Sequence, residues 1–187
     1  MGPKVIQLDT ERREATAPAP RRVTLIVPVY NEEASIALFL DRLSPVIEEA
    51  GTLVRIDILF VNDGSRDRTE RLILAEAERR PGISLLNLSR NFGKEAALTA
   101  GLHHATGDAM IPLDVDLQDP PEVMLLMIRR WLDGAKIVNA RRNRRDGDSW
   151  LKSRSAGAFY RLFNAMAERP IPRDVGDFRL MDREVVQ

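Results

Sequence analysis

The chain carries 28 basic and 28 acidic side chains in 187 residues and has no cysteine. That balance leaves no overall basic field for nucleic acid, and the missing thiols exclude disulfides, thiolate metal sites and cysteine nucleophiles. No apolar run approaches the ~18 residues of a membrane span and the N-terminus lacks an apolar signal core, so the chain by itself reads as soluble or peripheral, with a reducing cytoplasm permitted. The length fits one domain, enough to bury roughly 70% of the surface its unfolded chain exposes.

Residues 1–22 are polar, rich in Pro and Ala and without periodicity, and are expected to form a disordered leader before a domain at 23–187. Val23 to Val29 reads as a buried strand running into the turn Tyr30-Asn31-Glu32-Glu33. Ile36, Phe39, Leu40, Leu43, Val46, Ile47 and Ala50 then recur at helical spacing up to Gly51, with Pro45 inside the helix. Val54 to Val61 predicts a second strand, Arg66 to Arg80 a charged surface helix stopped by Pro81-Gly82, and Ile83 to Leu88 a third strand. Gly93 to Ala105 predicts a helix small enough in its side chains to pack close to a sheet, and Ala109 to Leu113 a fourth strand. Pro120-Pro121 can open a helix whose body is Val123 to Leu132, and Ala135 to Ala140 reads as a short strand. The alternation predicts an α/β sandwich around a mostly parallel sheet flanked by helices. No G-x-G-x-x-G or G-K-[ST] loop follows any strand, which excludes the usual dinucleotide and P-loop cradles.

The segment Asp114-Val115-Asp116-Leu117-Gln118-Asp119 follows the fourth strand directly. In extended chain two carboxylates separated by one residue lie on the same side, so Asp114 and Asp116 can share one hard divalent cation. Magnesium takes few protein carboxylates and fills its shell with water and phosphate oxygens, which suits a nucleoside-diphosphate ligand; an acidic turn that merely ends the strand has the same local sequence. The other strands also end in polar tips, at Asn31-Glu32 and at Asn62-Asp63-Gly64-Ser65. In an open parallel sheet such tips meet at one crevice beyond the carboxyl ends of the strands. Asp63 can accept from the imide N–H of a pyrimidine, or close an Asx-turn. Glu33 reads as favourable charge in a first helical turn. Lys94 of Asn91-Phe92-Gly93-Lys94 can face a diphosphate, or merely open a helix. His103-His104 has no metal-binding frame and reads as structural.

Taken in order, Val27-Pro-Val-Tyr-Asn-Glu-Glu33, Val61-Asn-Asp-Gly-Ser65, Asn91-Phe-Gly-Lys94 and Asp114-Val-Asp-Leu-Gln-Asp-Pro-Pro-Glu122 resemble the inverting family 2 glycosyltransferases. The branch that they look like includes dolichyl-phosphate mannose synthases and undecaprenyl-phosphate sugar transferases. The resemblance spans Arg22 to the last residue. It implies a nucleotide-binding domain of the glycosyltransferase A type, a nucleotide-sugar donor expected to be a UDP-sugar, and Mg²⁺ or Mn²⁺ held by Asp114 and Asp116. It also places Pro28, Tyr30, Asn31, Glu32 and Asp63 around the nucleoside, with Lys94, Val115 and Gln118 on the rest of the donor.

Between Arg141 and Arg161 seven basic residues stand against two acids, and Leu151, Ala158, Phe159, Leu162, Phe163 and Met166 add an apolar stripe. A basic amphipathic helix at 141–166 is a membrane-surface signature, and an ordinary core helix with a solvated basic face is its alternative. The resemblance favours the first, since a polyprenyl-phosphate acceptor is met at the bilayer. It likewise assigns Asp174-Val-Gly-Asp-Phe-Arg-Leu180 to the acceptor side, with Asp177 and Arg179 joining Asp116 as catalytic candidates; a buried Asp/Arg pair bracing a loop fits the same residues. An ionised phosphate needs orientation more than deprotonation, so Asp177 is expected to orient rather than abstract. The resemblance further implies a longer protein at the cytoplasmic face of the cell membrane, of which this chain would be a C-terminally incomplete part. A homo-oligomer is compatible with the sequence.

Overall fold

The computed structural model describes residues 20–141 and 175–186. Its sheet has six strands, β1 (Arg22–Val29), β2 (Arg55–Asn62), β3 (Ile83–Asn87), β4 (Ala109–Pro112), β5 (Ile137–Arg141) and β6 (Val175–Asp182), in the order β3-β2-β1-β4-β6-β5. β1 pairs in parallel with β2 and β4, and β2 with β3, whereas β6 runs antiparallel to both of its neighbours. The helices are α1 (Ile36–Ala50), α2 (Thr69–Arg79), α3 (Lys94–His104), α4 (Val123–Leu132) and the short α5 (Arg183–Val186). The mostly parallel α/β sheet predicted from the alternation is thus present.

Because the central strands are covered on both faces, they read as continuous apolar runs rather than alternating ones. Val23, Leu25, Val27 and Val29 of β1 join Ile58 and Phe60 of β2 in a core with α1, α2 and α4. In that core the Phe39 ring meets Phe60 edge-on, with centroids 5.8 Å apart. The intervening Ile26, Leu59 and Val61 point to the other face and pack on Ala97 and Leu98 of α3. α3 can lie that close because residue 101 is glycine: a Cβ there would stand 2.4 Å from Cγ2 of Ile26 and 3.1 Å from Cγ2 of Val61. The prediction that a helix of small residues sits tight on the sheet is thereby explained.

The main departure from expectation lies at the end of the chain. No element was expected around Asp177 to Leu180, yet these residues belong to β6, which inserts between β4 and β5. Phe178 and Leu180 are buried in the first core while Arg179 between them is half-buried. That alternation is the strand signal, but four residues of it are too short to stand out. Ala109 pairs with Asp182 and Met110 with Met181, so β6 starts at the end of β4 that bears Asp114 and runs back to the base of β4. Smaller shifts are that α2 starts at Thr69, β3 stops at Asn87 and α1 continues through Pro45. The expected leader, apart from residues 20–22, and the basic segment from Arg142 to Met166 lie outside the described residues, as does the side chain of Asp177.

β6 is anchored by a buried carboxylate. Asp182 is 4% exposed; its Oδ2 accepts the indole N–H of Trp131 at 2.7 Å and its Oδ1 accepts the backbone N–H of Glu184 at 3.0 Å. Lys136 Nζ lies 3.5 Å away, and Arg21 stacks on the Trp131 ring with its guanidinium carbon 3.7 Å from the centroid. Burial pushes the Asp182 carboxyl up, but the hydrogen bonds from Trp131 and Glu184 and the charge of Lys136 outweigh it and hold the group below its ordinary value. A carboxyl whose folded value is lowered contributes stability that is complete above the unfolded value of ~3.9 and is lost as pH falls through the folded value. Trp131→Phe should therefore destabilise the fold by about 1–3 kcal/mol at neutral pH, because it removes the hydrogen bond from a buried carboxylate oxygen and leaves it only the Arg21 ion pair at 3.6 Å. Denaturant melts from pH 7 to pH 3 should show the deficit shrinking as Asp182 becomes protonated.

Candidate functional site

The parallel register sets Val29 beside Asn62, so β1 and β2 end level with each other. The next residue of β2's chain, Asp63, donates its N–H to Val29 O at 2.9 Å, and Leu113 beyond β4 donates to Ile26 O at 2.9 Å. Three polar tips are in this way held at one edge of the sheet. Between them lies a cleft of about 340 Å³ lined by Pro28, Tyr30 and Glu32 from the first tip, Asp63 from the second, Asp114, Val115 and Asp116 from the third, and Lys94. A neighbouring cleft of about 500 Å³ shares Tyr30 and runs past Gly64 and Ser65 to Ser89 and Arg90. The crevice expected at the carboxyl ends of the strands is therefore formed.

Asp63 is 3% exposed, and its carboxylate spans two loops. Oδ1 accepts the backbone N–H of Phe92 at 2.7 Å and Oδ2 that of Gly93 at 2.9 Å. The Asx-turn alternative falls, since the partners lie about 30 residues away in sequence. Each oxygen still has a second lone pair that can meet a ligand. Gly64 makes the approach feasible: its φ is +71° and a Cβ would stand 2.5 Å from the carbonyl carbon of Arg90. Asn62 beside it is also buried, donating to Asn87 Oδ1 at 2.9 Å and accepting from Ser65 N–H at 3.0 Å.

The first tip is tied to the loop after β2. Asn31, at φ +55°, donates its N–H to Ser65 Oγ and accepts Arg66 N–H on Oδ1 at 2.8 Å. Its side chain thus holds a loop and does not line the smaller cleft. Glu32 accepts the Ser35 hydroxyl at 2.6 Å. Glu33 does not lie in the first turn of α1, which starts three residues later. It instead accepts from Arg68 N–H at 2.9 Å and Arg68 Nε at 3.2 Å, and the Arg68 side chain holds its carboxyl below the usual range. Asp67 alongside is pushed up by burial but pulled further down by hydrogen bonds from Thr69 and Glu33. Sequence reasoning missed this Glu33–Arg68 clamp because nothing local marks a pair 35 residues apart.

At the third tip, Asp114 Oδ2 accepts from Lys94 Nζ at 2.8 Å, with both side chains about half exposed. Asp116 Oδ1 accepts the backbone N–H of Gln118 at 3.1 Å, a local turn completed by Leu117 at φ +50°. Gln118 is exposed, and its contribution to that turn comes from the backbone. Neither contact uses Asp114 Oδ1 or Asp116 Oδ2. Among the described residues no third carboxylate or imidazole joins the pair, which fits a cation that completes its shell with water and phosphate oxygens. His104 Nδ1 meets Ala100 O at 2.8 Å on α3, in line with the structural role expected of it.

The chain's residues 24–187 match the model of Glycosyl transferase family 2. The prophage bactoprenol glucosyl transferase homolog of Escherichia coli (strain K12) is 48% identical over 166 residues, covering 89% of this chain and 54% of that protein. The bactoprenol glucosyl transferase of Shigella phage SfX is also 48% identical over 166 residues, with the same coverage. Among solved structures, the mannosyltransferase PcManGT from Pyrobaculum calidifontis, in complex with GDP-Man and Mn²⁺, superposes with a TM-score of 0.60 at 26% identity, over 90% of this chain and 46% of that one. The chain spans about half the length of the curated relatives that it matches.

Asp63→Asn keeps one acceptor and turns an amide N–H₂ towards a backbone donor. It should cost about 1–3 kcal/mol, and hydrogen exchange should show the amides of Phe92 and Gly93 exchanging faster while those of the β1 core stay protected.

Proposed function

Since the chain belongs to the family 2 glycosyl transferases, and is a transferase domain by that membership, we propose that it transfers a hexosyl group from a UDP-sugar to a polyprenyl phosphate, with inversion at the sugar carbon. The observation that carries this reading is the convergence of Asp63, Lys94, Asp114 and Asp116 on one cleft at the carboxyl edge of the sheet. The bactoprenol names of relatives with 48% identity support the lipid acceptor, and the GDP-Man and Mn²⁺ of the mannosyltransferase support a nucleotide sugar with a divalent cation.

In this reading Tyr30 and Pro28 flank the nucleoside, Asp63 meets the base edge with its remaining lone pairs, and Asn31 and Glu32 shape the rim. Asp114 and Asp116 hold Mg²⁺ or Mn²⁺, which when bound supplies Lewis-acid neutralisation of the departing diphosphate. Val115 and Gln118 border the donor, and Lys94 contributes a second positive charge. Transfer is a single displacement in which a phosphate oxygen of the acceptor forms the new bond to the sugar carbon as the bond to the diphosphate breaks. No enzyme nucleophile is needed. Arg179, carried towards the same edge by β6, neutralises the acceptor phosphate and Asp177 orients it. Residues 141–166 rest on the anionic membrane surface, where about 1 kcal/mol per basic residue favours attachment.

The direct test is product formation from UDP-sugar and liposomes that contain polyprenyl phosphate. Transfer only to a soluble sugar or protein would instead support a family relative with a hydroxyl acceptor, and nucleotide binding without any transfer would leave the chain a binding fragment. Calorimetry should show UDP binding that needs Mg²⁺ or Mn²⁺, and Asp116→Asn should weaken it at least about 10-fold. Equal affinity in EDTA would remove the cation from the site, and tighter binding of GDP than UDP would change the donor. With polyprenyl phosphate as acceptor, Asp177→Asn should cost less than the ~10²-fold typical of losing general acid–base assistance, because the nucleophile is already ionised. A loss above about 10³-fold in single-turnover assays, with UDP affinity unchanged, would contradict that role.

A further inference from the structure

Lys94 stands where a cation is least welcome. It is the first residue of α3, at the end of the helix where the macrodipole already favours negative charge, and its Nζ is 2.8 Å from Asp114 Oδ2. The backbone around it leaves little choice of position. The two N–H groups immediately before it, of Phe92 and Gly93, are fixed on Asp63, and Gly93 enters the helix at φ +95°. The amine thereby starts within reach of one of the two carboxylates on which the cation reading depends.

We propose that Lys94 is an exchangeable counter-ion, which neutralises Asp114 in the unliganded protein and moves to the donor diphosphate when a divalent cation takes Asp114. The inference rests on the reading of Asp114 and Asp116 as a cation site. Its physical basis is competition. Asp114 and Asp116 together carry two negative charges, and Lys94 leaves a net of one, so a divalent cation arriving alone meets a half-compensated site and a nearby like charge. Arriving with a nucleoside diphosphate, it brings anionic oxygens that give the ammonium a new partner. Lys94 thus makes cation and nucleotide bind as a pair and disfavours the bare metal ion. The flexible four-carbon stem of lysine suits a group that changes partner, where the planar fork of arginine favours one fixed geometry.

The test uses Lys94→Met and Lys94→Arg, with equal melting temperatures confirming intact folds, and Asp116→Asn as reference. Mn²⁺ binding is read by electron paramagnetic resonance of the free ion without nucleotide, and UDP binding by calorimetry at saturating Mn²⁺. Lys94→Met should bind bare Mn²⁺ about 3- to 10-fold more tightly than the parent and UDP about 5- to 10-fold less tightly, whereas Lys94→Arg should keep Mn²⁺ affinity near the parent value. Unchanged or weaker Mn²⁺ binding by Lys94→Met, or unchanged UDP affinity, overturns the exchange. If Asp116→Asn abolishes Mn²⁺ binding while Lys94→Met alters nothing, the cation site stands and only the exchange falls. If none of the proteins binds Mn²⁺ with or without UDP, both fall together.

Discussion

The buried carboxylate of Asp63 is the contact on which the site's geometry turns. A charged group that is almost wholly out of water is tolerable only when its oxygens are paired, and here the pairing partners are two consecutive backbone amides of a different loop. Satisfying one side chain therefore fixes the path of the chain from Phe92 into α3. Lys94 follows directly, and its amine meets Asp114 on the third strand tip at 2.8 Å. A single desolvated acid in this way ties the tip of β2 to the loop that opens α3, two segments about thirty residues apart in the chain.

The sheet gives that arrangement a rigid base. β1 lies near its centre, paired on both sides by parallel neighbours and buried on both faces. Tyr30, Glu32, Asp63, Asp114 and Asp116 of the cleft sit one to four positions beyond the regular strands, where backbone groups are no longer committed to the ladder. Positive φ at Asn31, Gly64 and Leu117 marks where each tip turns away from the sheet. Polar loops thus stand on an apolar foundation, and the clamp between Glu33 and Arg68 ties two of them to each other at the rim.

Much of this was legible in the sequence, for a physical reason. Buried parallel strands are mostly apolar on both faces, and their exits are polar where they reach a solvent-filled crevice, so Val23 to Val29 and Val54 to Val61 announce both themselves and the tips that follow. The helical spacing from Ile36 to Ala50 was equally plain, and Pro45 did not interrupt it. What escaped was everything that depends on distant pairing. Asp63 was read as a base contact or a local turn, and its true partners could not be named without the fold. Glu33 was read as helix charge, although its arginine lies in the loop before α2. β6 escaped because the alternation around Phe178 and Leu180 is brief and its partners, β4 and β5, are both earlier in the chain.

The insertion of β6 also constrains how the molecule can be assembled. Among the described residues β5 has no hydrogen-bonded neighbour in the sheet other than β6, although it is made more than thirty residues sooner. As the chain emerges during synthesis, β3, β2, β1 and β4 can associate in parallel while one side of β4 still presents unpaired amides and carbonyls. Such an open edge is a template for pairing with another chain. It closes only when residues 175–182 arrive, a step of high sequence separation and hence of slow loop closure. The strand that carries Arg179 is thus also the one that seals the nascent sheet, so the six-stranded sheet and protection from aggregation are completed in the same event.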